Sequence, residues 1–380
     1  MEKEWFDVTF IYRSHEAKDV YLAGDFCSWD VTRHRMNPCD EGFSVTLLLG
    51  EGYYEYKFYV DGHWVADDHN PHREHAYGNS IMFVHMDPGV YGLRDQHPPH
   101  RDHGRAQGDC FQVICPKVPE SLSSQGVWTR LVFVYLPPSY NDGSERHYPV
   151  MYVHDGQNVF STPGYHGGPM LGGLYLDEKL DYFWGQGLPE FIVVAIPNSD
   201  FVCCGNRKRE YCPDVLSNTA QHPFVRYIID IVKTEIDNSF RTLPDAANTY
   251  TYGASMGGVI SFCMAMCCPD KFSCAISTSP SFWFVDKTGA TCFDVVRSFN
   301  KLKPNCRLYI DSGDGIGDNM FYTREMATLL EEEGWKDGKD FLYYLDKCSS
   351  QRENGETHTE AVWKERLHVG LNFAFKRDTN

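Results

Sequence analysis

The stretch Thr249-Tyr250-Thr251-Tyr252-Gly253-Ala254-Ser255-Met256-Gly257-Gly258 decides the fold of the larger part of this chain. Four residues with strand character, Thr249 to Tyr252, run into Gly253, and an apolar segment from Val259 to Cys268 follows the turn. Glycines on both sides of Ser255 let a strand turn sharply into a helix, which lifts the serine hydroxyl above the sheet edge. A serine is a poor nucleophile until a base takes its proton and the backbone holds it exposed, and this turn meets the second need. The first turn of the helix also offers the amide of Met256 to a developing oxyanion. A plain strand-to-helix turn with an inert serine has the same glycines, so the flanking strand and helix carry the reading.

Outward from the turn, strand-like and helix-like segments alternate from residue 109 to residue 380. Val150–His154 and Phe191–Ile196 are apolar nearly throughout, as buried parallel strands are. Val225, Ile228, Ile229, Val232 and Ile236 form a helical stripe, and Arg307–Asp311 is a strand with a helix after it from about Tyr322. This alternation predicts an α/β fold with a mostly parallel sheet.

In such a fold the triad follows the order serine, acid, histidine. Only His358 and His368 lie beyond both Ser255 and a plausible acid. His368 falls in the helical stretch Trp363–Phe375, whereas His358 ends a polar segment after the strand Phe341–Leu345, where a triad base belongs. The acid is expected in the loop Ser312–Asn319, which holds Asp314 and Asp318. Asp314, between Gly313 and Gly315, suits a tight turn; Asp318 is preferred, although it also stands where a helix N-cap would. The loop Val153–Asn158 is placed to give the second oxyanion donor, the amide of Gln157, beside that of Met256. Trp283, after Ser279-Pro280, is expected to wall the substrate pocket, with packing as its plainer role.

The first part of the chain has a different rhythm. Phe6–Tyr12, Val20–Gly24, Phe43–Leu47, Tyr54–Val60 and Ser80–Val84 alternate with period two, and Asp61-Gly62 is a hairpin turn. Residues 1–87 are therefore expected to form a small all-β, immunoglobulin-like sandwich. Residues 88–108, rich in Pro, Gly, His and Arg, are expected to form a linker before the α/β domain of residues 109–380.

Composition sets limits. A formal net charge of -17 with no basic run opposes a nucleic-acid role. No uncharged apolar run approaches the roughly 20 residues of a bilayer span, and residues 1–7 lack a secretory profile, so a cytoplasmic protein without membrane contact is expected. Several of the fourteen cysteines sit in apolar segments and none has Cys-x-x-Cys spacing, which favours reduced thiols over disulfides or zinc. His97, His100 and His103 recur in the Pro-rich segment with no carboxylate scaffold. No metal or cofactor is expected, and the sequence leaves the oligomeric state open.

Two resemblances add to this. Val134-Tyr135-Leu136-Pro137-Pro138, His154-Asp155-Gly156-Gln157-Asn158, Arg207-Lys208-Arg209-Glu210-Tyr211, Gly253–Gly258, Ser279-Pro280-Ser281-Phe282-Trp283 and His358–Leu367 occur in order. With them, residues 109–380 resemble the putative-esterase family of α/β-hydrolases, which includes feruloyl and acetylxylan esterases, enterochelin esterase and S-formylglutathione hydrolase. The resemblance implies a triad of Ser255, His358 and one of the two aspartates, working on an ester through an acyl-enzyme.

Residues Leu22–Trp29, Tyr56–Trp64 and Gly78-Asn79 resemble the glycogen-binding module of the AMP-activated kinase β subunit and of isoamylase-type and branching enzymes. That resemblance implies stacking of Trp29 and Trp64 on glucose rings, with Lys57 and Asn79 bonding hydroxyls. A serine esterase acting on or near an α-glucan is thus the expected function. An enterochelin-type siderophore trilactone esterase and a non-catalytic glycan-binding scaffold are the alternatives.

Overall fold

The structure is a computed structural model that describes residues 5–27, 29–50, 52–70, 79–84, 111–114, 130, 132–160, 174–198, 207–212, 219–300, 302–315, 317–347 and 358–375. The proposed linker at 88–108, with His97, His100 and His103, lies outside the described residues. The chain divides into two compact units, each taken by itself below.

The first unit is built from two antiparallel sheets. One joins β1 (Trp5–Tyr12), β5 (Gly42–Gly50) and β4 (Asn37–Cys39) in that order. The other runs β3 (His34–Arg35), β2 (Val20–Gly24), β6 (Gly52–Val60), β7 (His63–Val65), with β8 (Ser80–Val84) also on β6. Period-two alternation sends Phe10, Leu22, Tyr56 and Phe58 inward, where they share one core between the sheets. Asp61 and Gly62 link β6 to β7 with φ of 47° and 91°, the positive pair that a two-residue hairpin needs. The expected sandwich is present.

The second unit holds an eight-stranded sheet. Its strands are β9 (Phe111–Ile114), β10 (Val132–Tyr135), β11 (Val150–His154), β12 (Ile192–Ile196), β13 (Thr249–Ala254), β14 (Cys274–Thr278), β15 (Arg307–Gly313) and β16 (Phe341–Asp346). Their spatial order is β16-β15-β14-β13-β11-β12-β10-β9. The pairings from β12 to β16 are parallel and β10 is antiparallel to β12, giving the expected mostly parallel sheet. Strands β10 to β14 are buried throughout, because helices cover the sheet.

The helix Met256–Cys267 packs on β13 and β14, and the helix Glu360–Phe375 on β14 and β15. The expected helix at 224–236 is present but passes through a π-helical turn, Tyr227–Val232. Tyr227, Ile228 and Ile229 are consecutive yet all buried there, more than a regular helical stripe would place on one side. Cys27, Cys39, Cys212, Cys263, Cys267, Cys268, Cys274, Cys292 and Cys306 are free thiols.

Candidate active site

Ser255 lies between the end of β13 and the start of the helix Met256–Cys267, with φ 57° and ψ -121°. A non-glycine residue in that region is strained, and the neighbours hold it there. The Ser255 amide donates to the Thr278 carbonyl at 2.9 Å, and the Ser255 carbonyl accepts from the Gly258, Val259 and Ser281 amides. A Cβ on Gly253 would stand 2.2 Å from the Gly257 carbonyl oxygen, so only glycine permits the turn. Met256 opens the helix, where an amide has no partner within its own helix.

His358 Nε2 lies 2.9 Å from Ser255 Oγ, and His358 Nδ1 lies 3.0 Å from Asp318 Oδ1. Trp363 meets the imidazole edge-on at 4.9 Å between ring centres. Asp318 leaves the end of β15 fully buried, and its second oxygen accepts from the Gly313 amide and from Arg366 Nη2 at 3.1 Å. Burial works to raise the Asp318 carboxyl, but the His358 hydrogen bond and Arg366 outweigh it and hold the carboxyl below its ordinary value. Arg366, itself buried, also bonds Asp311 at 2.9 Å and the Ser279 hydroxyl. Asn319, not Asp318, stands at the N-cap position of the following helix, with its side chain bonded to Ser279 and Trp283 and not to the helix. Asp314 stands apart, its amide bonded to the Asp346 carbonyl. His368 is exposed on the last helix, with Nδ1 near the Glu365 carbonyl. The structure thus aligns Ser255, His358 and Asp318 and leaves Asp314 and His368 outside the array.

Ser281, which the sequence did not mark as a site residue, is buried with its hydroxyl 3.1 Å from Ser255 Oγ. With the Nδ1 proton turned to Asp318, Nε2 accepts the single Ser255 proton, so Ser281 must be the donor in the serine pair. That bond fixes the Ser255 rotamer and supports negative charge developing on Oγ. Ser281→Ala is expected to lower kcat for p-nitrophenyl acetate about tenfold with little change in KM, and Ser281→Thr to recover part of the loss. An effect confined to KM would contradict this role.

The opposite wall comes from the end of β11. Asp155 adopts φ 56°, and a Cβ on Gly156 would stand 2.6 Å from the Ala195 and Ile196 backbone. The Asp155 carboxylate takes Arg207 Nε at 2.7 Å, Arg207 Nη2 at 2.6 Å and Asn198 Nδ2 at 2.7 Å. Burial disfavours that charge, yet Arg207 and Asn198 keep the Asp155 carboxyl below its usual range. The Asn198 amide in turn donates to Gln157 Oε1 at 3.2 Å, which ties down the loop carrying the candidate oxyanion amide. His154, next to this loop, is driven by burial to about 4 and stays neutral.

Ser255 and His358 open on a cleft of about 280 Å³ whose lining includes Gln157, Asn158, Arg207, Glu360 and Trp363. Trp283 is not in that lining. It is half exposed, and its indole N–H donates to Asn319 Oδ1 at 3.1 Å. Among the described residues no cluster of His, Cys, Asp or Glu is arranged to hold a metal.

In the first unit, Lys57 and Tyr59 alternate onto the outer face of β6, and Trp64 on β7 pairs with Tyr59. The Trp64 ring lies 5.3 Å from that of Tyr59 and 6.0 Å from that of Trp29, and Trp64 is 46% exposed. Asn79 is buried instead, its amide donating to Glu55 Oε2 at 2.8 Å.

Residues 123–373 match the family described as putative esterase. The chain belongs to this family. The esterase is 26% identical over 233 residues to YbbA, an uncharacterized protein of Bacillus subtilis (strain 168), covering 57% of this chain and 83% of that one. Its fold is similar to that of an enterobactin esterase from Shigella flexneri, with a TM-score of 0.52, 16% identity, and coverage of 99% of this chain and 94% of the other. Residues 6–90 match the glycogen recognition site of AMP-activated protein kinase. Over 78 residues the esterase is 33% identical to the β-2 subunit of that kinase from Homo sapiens, covering 20% of this chain and 28% of the subunit. Among the described residues no helix of the esterase is long and apolar enough to cross a membrane.

Proposed function

We propose that the esterase cleaves carboxylic esters by a Ser255–His358–Asp318 triad and an acyl-enzyme, in a catalytic domain of residues 109–380 joined by a linker at 88–108 to a glucan-reading module of residues 1–87. The observation that carries this reading is the line from Ser255 Oγ to His358 Nε2 at 2.9 Å and from His358 Nδ1 to Asp318 at 3.0 Å. His358 takes the Ser255 proton as Oγ forms its bond to the ester carbonyl carbon. The carbonyl oxygen becomes an oxyanion facing the amides of Met256 and Gln157. Collapse breaks the bond to the alcohol oxygen, which leaves with the proton from His358. Water, deprotonated by His358, then attacks the acyl group, and Oγ departs with the proton returned. Asp318 keeps the Nδ1 proton in place and steadies the imidazolium throughout. A burst of one p-nitrophenol per chain from p-nitrophenyl acetate, followed by slower turnover, is the expected kinetic signature; turnover with no labelling by a fluorophosphonate would overturn the reading.

For the module, the adjacent rings of Trp29, Trp64 and Tyr59 support stacking on the apolar face of a sugar, with Lys57 beside them. Asn79, buried against Glu55, supports the binding face from beneath. Glycogen in a native gel is expected to retard the wild-type chain, and Trp64→Ala to weaken that retardation about tenfold in glycogen concentration. A wild-type mobility indifferent to glycogen ends the glucan reading. Trp64 is exposed enough that its loss should leave the fold intact.

A further inference from the structure

Glu360 opens the last helix and lines the cleft two residues after His358. Among the described residues its carboxylate takes one side-chain donor, Asn158 Nδ2 at 3.0 Å from Oε1, beside its own backbone amide. The side-chain carbonyl of Asn158 receives no donor among the same residues. A carboxylate offers about four acceptor sites, and burial, which raises the Glu360 carboxyl above its ordinary value, makes each missing donor felt. This wall therefore calls for donors from a ligand. Charge narrows the choice further. Arg207, the one Lys or Arg among the described lining residues, makes a two-bond pair with Asp155, and His154 is neutral. Arg207 and Asp155 act on Glu360 with opposite signs, so among the described residues its negative charge has no ion-pair partner of its own.

We propose that Glu360 and Asn158 form the specificity wall of the cleft, accepting hydroxyl groups from a neutral, polyol- or sugar-like portion of the ester and turning away esters that carry negative charge. The inference rests on the esterase reading above and adds the residues that select the substrate. A hydroxylated ligand replaces water at acceptors already in place, whereas an anion meets Glu360 beside a cation, Arg207, already bound to Asp155. A densely anionic substrate, such as a ferric tris-catecholate, is disfavoured by the same charge.

The test compares kcat/KM for three esters: an acetylated methyl glucoside, p-nitrophenyl acetate and p-nitrophenyl hemisuccinate. Wild type, Glu360→Gln and Glu365→Gln are assayed, the last being an exposed position on the same helix. In Glu360→Gln the glucoside-to-acetate ratio is expected to fall about tenfold, chiefly through KM, while the hemisuccinate-to-acetate ratio rises roughly fivefold. Glu365→Gln should change neither ratio. Each ratio is taken on one preparation, so loss of folded protein cancels. Unchanged ratios in Glu360→Gln, or a wild type that cleaves p-nitrophenyl acetate but not the glucoside, overturn the wall and leave the esterase reading standing. A wild type that turns over none of the three esters overturns both.

Discussion

Ser255→Ala is expected to lose the p-nitrophenol burst, to lose fluorophosphonate labelling, and to drop kcat by on the order of 10⁴-fold or more. The loss is large because, in the proposed mechanism, Ser255 Oγ is the atom that bonds to the acyl carbon, and no second hydroxyl takes its place. Ser281 is near, but its hydroxyl faces Ser255 Oγ and no imidazole contact holds it. The fold should survive. The backbone bonds from the Ser255 amide to Thr278 and from the Gly258 and Val259 amides back to the Ser255 carbonyl do not involve the side chain. Alanine inherits the same strained φ, so little is gained or lost in the turn itself. Equal labelling of wild type and variant would remove Ser255 from the mechanism.

The turn around Ser255 was legible because it is local. Strand pattern, glycines and helix pattern adjoin one another, and Gly253 answers a contact with Gly257, four residues on. The broad architecture was legible for a similar reason, since β11 and β12 are mostly apolar runs of strand length, β13 is rich in Thr and Tyr, and the first unit alternates cleanly. β14 was not anticipated as a strand. Cys274-Ala275-Ile276-Ser277-Thr278 is short and mixes small polar with apolar residues, all buried, so neither alternation nor a long apolar run marks it.

What escaped the sequence is long-range. Arg207, Glu360 and Trp363 at the cleft and Ser281 beside Ser255 come from three separate segments, and nothing in their own neighbourhoods announces the meeting. The family pieces Arg207–Tyr211, Ser279–Trp283 and His358–Leu367 contain all four, which is the signal that was available. Trp283, expected at the pocket from its place after Ser279-Pro280, turns its indole to Asn319 and is not among the residues lining the cleft. Asn79 misled in a related way: an amide suited to a sugar hydroxyl is committed to the buried carboxylate of Glu55. Type and position can be read from a sequence, whereas the direction of a side chain depends on partners far along the chain.

Nowhere is that clearer than in the choice between Asp314 and Asp318, four residues apart in one loop. Arg366, from the last helix, favours Asp318 by holding its Oδ2 while the Gly313 amide bonds the same oxygen, which leaves Oδ1 turned toward His358. Asp318→Asn is expected to lower kcat roughly 10³- to 10⁴-fold, with KM much less affected. The side chain keeps its shape, but an amide nitrogen at Oδ1 presents a donor to Nδ1. The imidazole then carries its proton on Nε2, aimed at a Ser255 oxygen that needs an acceptor. If the amide flips to restore an acceptor there, its nitrogen faces the Gly313 amide and Arg366, two donors it cannot satisfy. Either orientation loses the negative charge that offsets the imidazolium. Asp314→Asn, away from the array, should leave kcat within about twofold. Reversal of that order, with Asp314→Asn the damaging change, would show that the loop rearranges in the working enzyme and that Asp314 holds His358.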